Sequence, residues 1–127
     1  MNQDEAENFQ IYLEETDLHT CALSKALTSW REDPHAQGWR KESLRLLHAM
    51  EGAAGAMELE QIRGLTQFLN LQFDRVCLRG QQIDPAYMEA LLRGVEFLRD
   101  CNDRLRHGES LEGSAALLEQ LKTAQQG

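Results

Sequence analysis

The sequence predicts an all-α protein, arranged as an antiparallel up-and-down four-helix bundle with an additional C-terminal helix. Three observations support this fold class. The 127 residues include only two prolines, and strong helix formers such as leucine, alanine, glutamine and glutamate dominate the chain. Apolar side chains recur every three or four residues, which is the spacing of one helix face. The segments with this spacing are long and the breaks between them are short, as in an up-and-down bundle.

The first helix is predicted from about residue 4 to residue 30. Its inward stripe consists of residues spaced by four and three, namely Phe9, Leu13, Thr16, Thr20, Leu23, Leu27 and Trp30. The segment REDPHAQG follows, and it is expected to end the helix because it contains Pro34 and Gly38.

The second and third helices are predicted over about residues 39–57 and 58–79. The inward stripe of the second is Trp39, Ser43, Leu46, Leu47, Met50, Ala53, Ala54 and Met57. The stripe of the third is Ile62, Thr66, Leu69, Phe73 and Val76, and Gly80 is expected to end it.

The fourth helix is predicted over residues 85–107. Asp84 supplies an N-cap and Pro85 the first helical residue, while Gly108 is placed to end the helix. Its stripe is Tyr87, Leu91, Gly94, Leu98, Cys101 and Leu105. A short fifth helix is expected over residues 114–124.

Residues 1–127 are long enough for one compact domain and too short for two of ordinary size.

Composition and charge exclude several classes of function. The net charge of −8 argues against nucleic acid, because a phosphate backbone requires a basic stripe and none is visible. The longest apolar runs are a few residues, so we expect no membrane insertion and no signal peptide. Cys21, Cys77 and Cys101 are widely spaced with no CxxC pair, which favours reduced, mostly buried thiols in a cytoplasmic protein. The histidines show no paired spacing typical of a metal site.

The second helix contains an unusual stretch, LRLLHAMEGAAGAM, over residues 44–57. On a helical wheel its core stripe spans a sector about 120° wide, and His48 lies at about 180° from Trp39, on the opposite face. His48 is therefore predicted to face solvent.

Gly52 and Gly55 share this outer face with His48. Each is expected to cost about 1 kcal/mol relative to alanine inside a helix. On an exposed face they gain nothing from core packing, so another reason is needed for their presence. The simplest is access: without side chains there, another protein can bring its active site up to the imidazole. The alternative is that small residues mark a close helix crossing and that His48 is an ordinary surface histidine.

The motif H-x-x-x-G-x-x-G at residues 48–55 resembles the histidine-containing phosphotransfer (HPt) domain, in particular the N-terminal domain of chemotaxis histidine kinases of the CheA type. The segments ENFQIYLEET and RGQQIDPAYMEALLRGVEFLRD and the helix lengths also resemble that domain. The resemblance covers about residues 5–124. It implies a four-helix bundle with a fifth helix, and His48 as the phosphoryl acceptor at Nε2.

The resemblance also implies the partners in a two-component, chemotaxis-type pathway. The ATP-binding catalytic domain of a histidine kinase would transfer the γ-phosphoryl group of ATP to His48, and the aspartate of a response-regulator receiver domain would remove it. No cofactor would be bound. Whether the protein is an enzyme stays open, since such a phosphocarrier has no catalytic machinery of its own. The starting Met1 is consistent with the N-terminal piece of a larger CheA-like kinase.

The sequence departs from the HPt pattern at three positions. Glu51 stands where the pattern has lysine, and it would repel a phosphoryl group because it lies about 60° from His48 on the wheel. Glu58 replaces a later glycine. On the third helix Asn70 stands where the pattern has a glutamate that hydrogen-bonds the reactive ring, with Gln67 one turn before. An amide can orient an imidazole but does not raise its basicity as a carboxylate does.

Three further residues are predicted to contribute around His48. Arg45 and Lys41, three and seven residues earlier, are candidates to supply the missing positive charge. Leu44, outward beside His48, is a candidate docking contact for the regulator. The departures predict slowed or altered phosphotransfer. Two alternatives remain: a degenerate HPt-like docking module that binds a partner without being phosphorylated, and a helical adaptor or dimerisation bundle in which His48 is incidental.

Overall fold

A computed structural model describes residues 2–76, 82–109, 111 and 119. These residues form four α-helices and contain no β-strand: α1 (Gln3–Glu32), α2 (Gln37–Ala56), α3 (Glu60–Val76) and α4 (Pro85–Arg106). The all-helical class predicted from the sequence is confirmed. The predicted fifth helix, residues 114–124, lies outside the described residues except for Glu119.

The four helices form a bundle in which each contacts its neighbours in the chain, and α4 also contacts α1. The helix faces that meet inside the bundle carry apolar side chains, which are spaced three and four residues apart along each helix. The buried core includes Leu13, Leu23, Leu27, Trp30, Leu46, Leu47, Met50, Ile62, Leu65, Leu69, Phe73, Leu91, Val95 and Leu98. None of the helices among the described residues has both the length and the hydropathy needed to cross a membrane.

The first turns of α1 and α4 are capped by side chains. The Asn2 side chain accepts a hydrogen bond from the Glu5 backbone N–H at 2.8 Å and caps α1. The Asp84 carboxylate accepts from the backbone N–H groups of Ala86 and Tyr87 at 2.9 and 3.2 Å, with Pro85 as the first residue of α4. The predicted start at Asp84-Pro85 is therefore confirmed, because these contacts satisfy donors that the helix leaves without partners.

The ends of α2 and α4 have the same backbone geometry but different residues. In α4 the C-cap is His107, and the next residue, Gly108, has φ +71°. In α2 the C-cap is Met57, and the next residue, Glu58, has φ +57°. In both cases the two N–H groups after the C-cap bond back to carbonyls of the last turn, as in a Schellman motif.

This turn corrects two predicted boundaries. The second helix ends at Ala56, and the third begins at Glu60 rather than at residue 58, with residues 57–59 forming the turn between them. The sequence gives no glycine as a stop signal there, because Glu58 adopts the left-handed conformation instead. The first and second helices also begin or end one or two residues beyond the predicted limits, and residues 77–79 lie outside the described residues.

Gly94 allows α3 and α4 to approach closely. A Cβ atom at this position would collide with the Cδ2 atom of Leu69, which is fully buried in the core. Gly94 was predicted to lie on the inward stripe of its helix, and it is buried there.

Several residues predicted to face the core are less buried than expected. Four of them are half-buried, namely Ala53, Met57, Tyr87 and Leu105. Trp39, placed in the core stripe, is 37% exposed and lies in the first turn of α2. Cys21 is exposed, whereas Cys101 is buried as expected, and Cys77 lies outside the described residues. Phe9 is half-buried, and Tyr12 takes a core position in its place.

Candidate functional site

His48 lies on the exposed face of α2, as the helical wheel predicts. It lines an open surface depression of about 500 Å³ together with Glu51, Gly52, Gly55 and Arg63. Four of these residues come from three successive turns of α2, and Arg63 comes from the first turn of α3. The depression thus spans two neighbouring helices beside their connecting turn.

Gly52 and Gly55 are not required by helix packing. A Cβ atom built at either position would meet nothing within 4 Å. The alternative that these glycines mark a close helix crossing is therefore not supported, in contrast to Gly94. Their effect on the site is to leave the surface beside His48 without side chains.

Glu51 is held by the neighbouring helix. The Asn70 Nδ2 group donates a hydrogen bond to the Glu51 Oε2 atom at 2.9 Å and another to the Thr66 backbone carbonyl at 3.1 Å. Both acceptors lack hydrogens, so the assignment of the amide nitrogen is fixed by chemistry. Both N–H groups of Asn70 are therefore used, and the side chain that this amide contacts is Glu51. The role of Asn70 in orienting the His48 ring stays a prediction.

Gln67 lies one turn before Asn70 and is exposed. It is not among the described residues that line the depression. Its predicted contribution to the surroundings of His48 stays a prediction.

Arg45 is engaged away from the depression. Its guanidinium donates to both Glu42 carboxylate oxygens, at 3.0 Å from Nε and 2.5 Å from Nη2. The hydrogen bond from Arg45 holds the pKa of Glu42 below its usual range. Neither Arg45 nor Lys41, which is exposed one turn earlier, is among the described lining residues. That either residue supplies positive charge to a phosphoryl group on His48 stays a prediction.

Arg63 is the cation that the structure places in the depression, and sequence reasoning missed it. Its guanidinium makes a long ion pair with Glu60 at 3.8 Å, and both side chains are largely exposed. A signal was present, since Arg63, Gln67 and Asn70 follow a four-and-three spacing along one face of α3. The register between α2 and α3 was needed to place that face beside His48.

Leu44 is less available than predicted. It is half-buried and packs against the hydrophobic core instead of standing free beside His48. Its apolar surface is therefore partly used in stabilising the bundle.

The arrangement combines a nucleophile with a cation. An exposed imidazole has a nitrogen lone pair that can attack phosphorus, and the guanidinium is suited to a phosphoryl oxygen because it offers several N–H donors in one plane. Among the described residues, no group of three or more histidine, cysteine or acidic side chains is placed to hold a metal ion. In comparisons with protein-family models, curated proteins and solved structures, nothing matched this chain.

Proposed function

We propose that this protein is an HPt-type phosphocarrier of a two-component pathway, with His48 as the residue that carries the phosphoryl group. The observation that supports the proposal is an exposed imidazole in an open depression cleared by two glycines and flanked by an arginine. Exposure is essential to this function, because two different proteins must reach the same ring nitrogen in turn.

The proposed reaction has two transfers. In the first, an imidazole nitrogen of His48 attacks the γ-phosphorus of ATP held by a histidine kinase catalytic domain. An N–P bond forms, and the bond from phosphorus to the bridging oxygen breaks, which releases ADP. In the second, an aspartate of a receiver domain attacks the same phosphorus. The N–P bond then breaks, and the imidazole is regenerated. The described residues hold and expose the imidazole, while the partners supply the catalytic groups.

The proposal includes finer features of the fold and the setting. We infer that the bundle has the antiparallel up-and-down arrangement and that residues 114–124 form a fifth helix, as the resemblance to HPt domains implies. A cytoplasmic location and the absence of a bound cofactor belong to the same proposal, since the kinase would bring the ATP.

A degenerate docking module is the second candidate function, and Glu51 favours it. Its carboxylate lies in the depression with His48, where a doubly charged phosphoryl group would be repelled. The variant Glu51→Lys separates the two candidates. If the carboxylate slows a working carrier, phosphorylation of His48 becomes faster in this variant, whereas a module built only for docking stays unphosphorylated in both forms.

The proposal is tested by labelling the protein from ATP with the catalytic core of a CheA-type kinase and from phosphoramidate, a small phosphodonor that needs no kinase. Wild type is compared with His48→Gln and with His35→Gln, which removes another exposed histidine. We expect a base-stable, acid-labile label that passes to a receiver domain in wild type and His35→Gln but not in His48→Gln. Transfer that persists in His48→Gln, or no transferable label in wild type from either donor, contradicts the proposal.

A further inference from the structure

We infer that Arg63 is the phosphate-binding cation of this site, supplied by α3 in place of a cation on α2. This inference rests on the proposed function and names the residue that would bind the phosphoryl group on His48. Of the described residues that line the depression, Arg63 alone is cationic, and it shares that surface with the imidazole. It would bind the phosphoryl oxygens as an N–H donor and take no part in bond making.

The present partner of Arg63 is weak enough to be exchanged. The Arg63 guanidinium and the Glu60 carboxylate are 3.8 Å apart, and their side chains are 49% and 75% exposed. Charge-assisted hydrogen bonds are usually about 2.7–2.9 Å long, and exposed ion pairs contribute little. A phosphoryl group carries up to about two negative charges and offers three acceptor oxygens, so it competes well with a single solvated carboxylate.

Arg45 provides the contrast within the same molecule. It also pairs with a glutamate three residues away, but at 2.5 and 3.0 Å through two hydrogen bonds, and it lies outside the depression. Arg45 and Arg63 are therefore both exposed, and each pairs with a glutamate three residues away. They differ because Arg63 lines the depression and because its ion pair is longer than that of Arg45.

The hydrogen bond between Asn70 and Glu51 favours this role for Arg63. Glu51 is the carboxylate that shares the depression, yet Arg63 pairs with Glu60, while Glu51 accepts from Asn70. The amide occupies one oxygen of Glu51 without neutralising its charge, and it ties that carboxylate to α3. The arginine is thereby left with a partner outside the depression that a phosphoryl group can replace.

The test compares Arg63→Ala and Arg63→Lys with the matched control Arg99→Ala. Arg99 is also about half-exposed and pairs with a glutamate three residues away, Glu96, at 3.5 Å, but it lies on α4 and is not among the described residues that line the depression. Each protein is phosphorylated with phosphoramidate, in which the imidazole nitrogen attacks phosphorus and the existing N–P bond breaks to release ammonia. The phosphohistidine is followed by ³¹P NMR over a pH series. We expect Arg63→Ala to slow phosphorylation about two- to tenfold and to raise the pKa of the phosphoryl group on His48. Arg63→Lys should fall between, and Arg99→Ala should match wild type.

Two outcomes separate failure of this inference from failure of the proposed function. Equal rates and equal phosphoryl titrations in Arg63→Ala and Arg99→Ala overturn the role of Arg63 and leave His48 as a carrier. If wild type forms no phosphohistidine at His48, the proposed function fails, and inorganic phosphate then tests Arg63 alone. Phosphate should shift the Arg63 Nε–H and the Gly55 amide signals in ¹H–¹⁵N spectra of the unmodified protein. No shift in wild type, or the same Gly55 shift in Arg63→Ala, overturns the inference.

Discussion

The side-chain amide of Asn70 on α3 donates a hydrogen bond to the carboxylate of Glu51 on α2 at 2.9 Å, one turn from the exposed His48. The two positions at which the sequence departs most clearly from the HPt pattern are thus in direct contact. They are a coupled pair, so a change at one position alters the environment of the other.

Substitutions of Glu51 and Asn70 should have non-additive effects on the free energy of unfolding. Asn70→Glu alone places a second carboxylate beside Glu51, and we expect it to lower the free energy of unfolding by about 0.5–1 kcal/mol. Glu51→Lys combined with Asn70→Glu creates an opposite-charge pair and should recover most of that loss. A double-mutant cycle uses urea unfolding of wild type, Glu51→Lys, Asn70→Glu and the double variant. It gives the interaction free energy between residues 51 and 70, which we expect to be about 1 kcal/mol.

Gln67→Glu is the matched control for this cycle, because Gln67 lies one turn earlier on the same helix and is exposed. Its unfolding free energy should stay within about 0.5 kcal/mol of wild type. Additive effects at residues 51 and 70 would show that their hydrogen bond contributes no coupling.

The glycines beside His48 should matter for large donors and not for small ones. Under the proposed function, Gly52→Leu places a side chain beside the imidazole and should slow phosphorylation by a kinase core at least about tenfold, while labelling by phosphoramidate changes less than about twofold. Gly38→Leu is the control, since Gly38 is also a helical residue of α2 whose Cβ would meet nothing within 4 Å. Slowing of both donors to the same extent would point to a disturbed imidazole rather than to lost access.

The helices and the direction of His48 could be predicted because both depend on local spacing. A rotation of about 100° per residue assigns each side chain to a face without knowledge of any other helix. The same is true of Asp84 at the start of α4 and of Gly108 after its end, where one residue carries the signal. Local sequence therefore predicted the exposed imidazole and most of the core.

The remaining parts of the site depend on how two helices are aligned. Arg63 and the hydrogen bond from Asn70 to Glu51 were missed, because a wheel drawn for α2 contains no information on which residues of α3 lie beside it. The left-handed backbone of Glu58 was not predicted for another reason. The turn imposes this conformation, and a glutamate by itself does not indicate it.

The turn after α2 offers a simple gain in stability. Glu58 has φ +57° in a Schellman motif whose counterpart after α4 is occupied by Gly108 at φ +71°. Because a side chain is disfavoured in this conformation, we expect Glu58→Gly to raise the free energy of unfolding by about 1 kcal/mol. Urea unfolding measures the change. Gly108→Ala, the reverse substitution in the matching motif, should lower it by a similar amount, and equal signs for the two would contradict the explanation.

Two helical glycines should respond in opposite ways to alanine. Gly94→Ala forces the fully buried Leu69 to move, and we expect a loss of about 1–2 kcal/mol after the gain in helix propensity. Gly64→Ala meets nothing within 4 Å, so it should stabilise by up to about 1 kcal/mol. Thermal and urea unfolding of both variants measure the difference. A stabilising Gly94→Ala would mean that α3 and α4 can separate without cost.

Tyr12 should make stability fall at high pH. Burial raises the pKa of its hydroxyl group from 10.0 to about 12. Between these values the unfolded chain loses the Tyr12 proton while the folded protein keeps it, so the free energy of unfolding decreases as pH rises. Up to about 2 kcal/mol is expected to be lost by pH 12.

Urea unfolding of wild type and Tyr12→Phe from pH 8 to pH 12 isolates this contribution, since other titrating groups are common to both proteins. The difference in the free energy of unfolding between the two proteins should be constant below pH 10. Above pH 10 it should change in favour of Tyr12→Phe. A difference that stays flat throughout would mean that water reaches the Tyr12 hydroxyl group, which is buried in the structure.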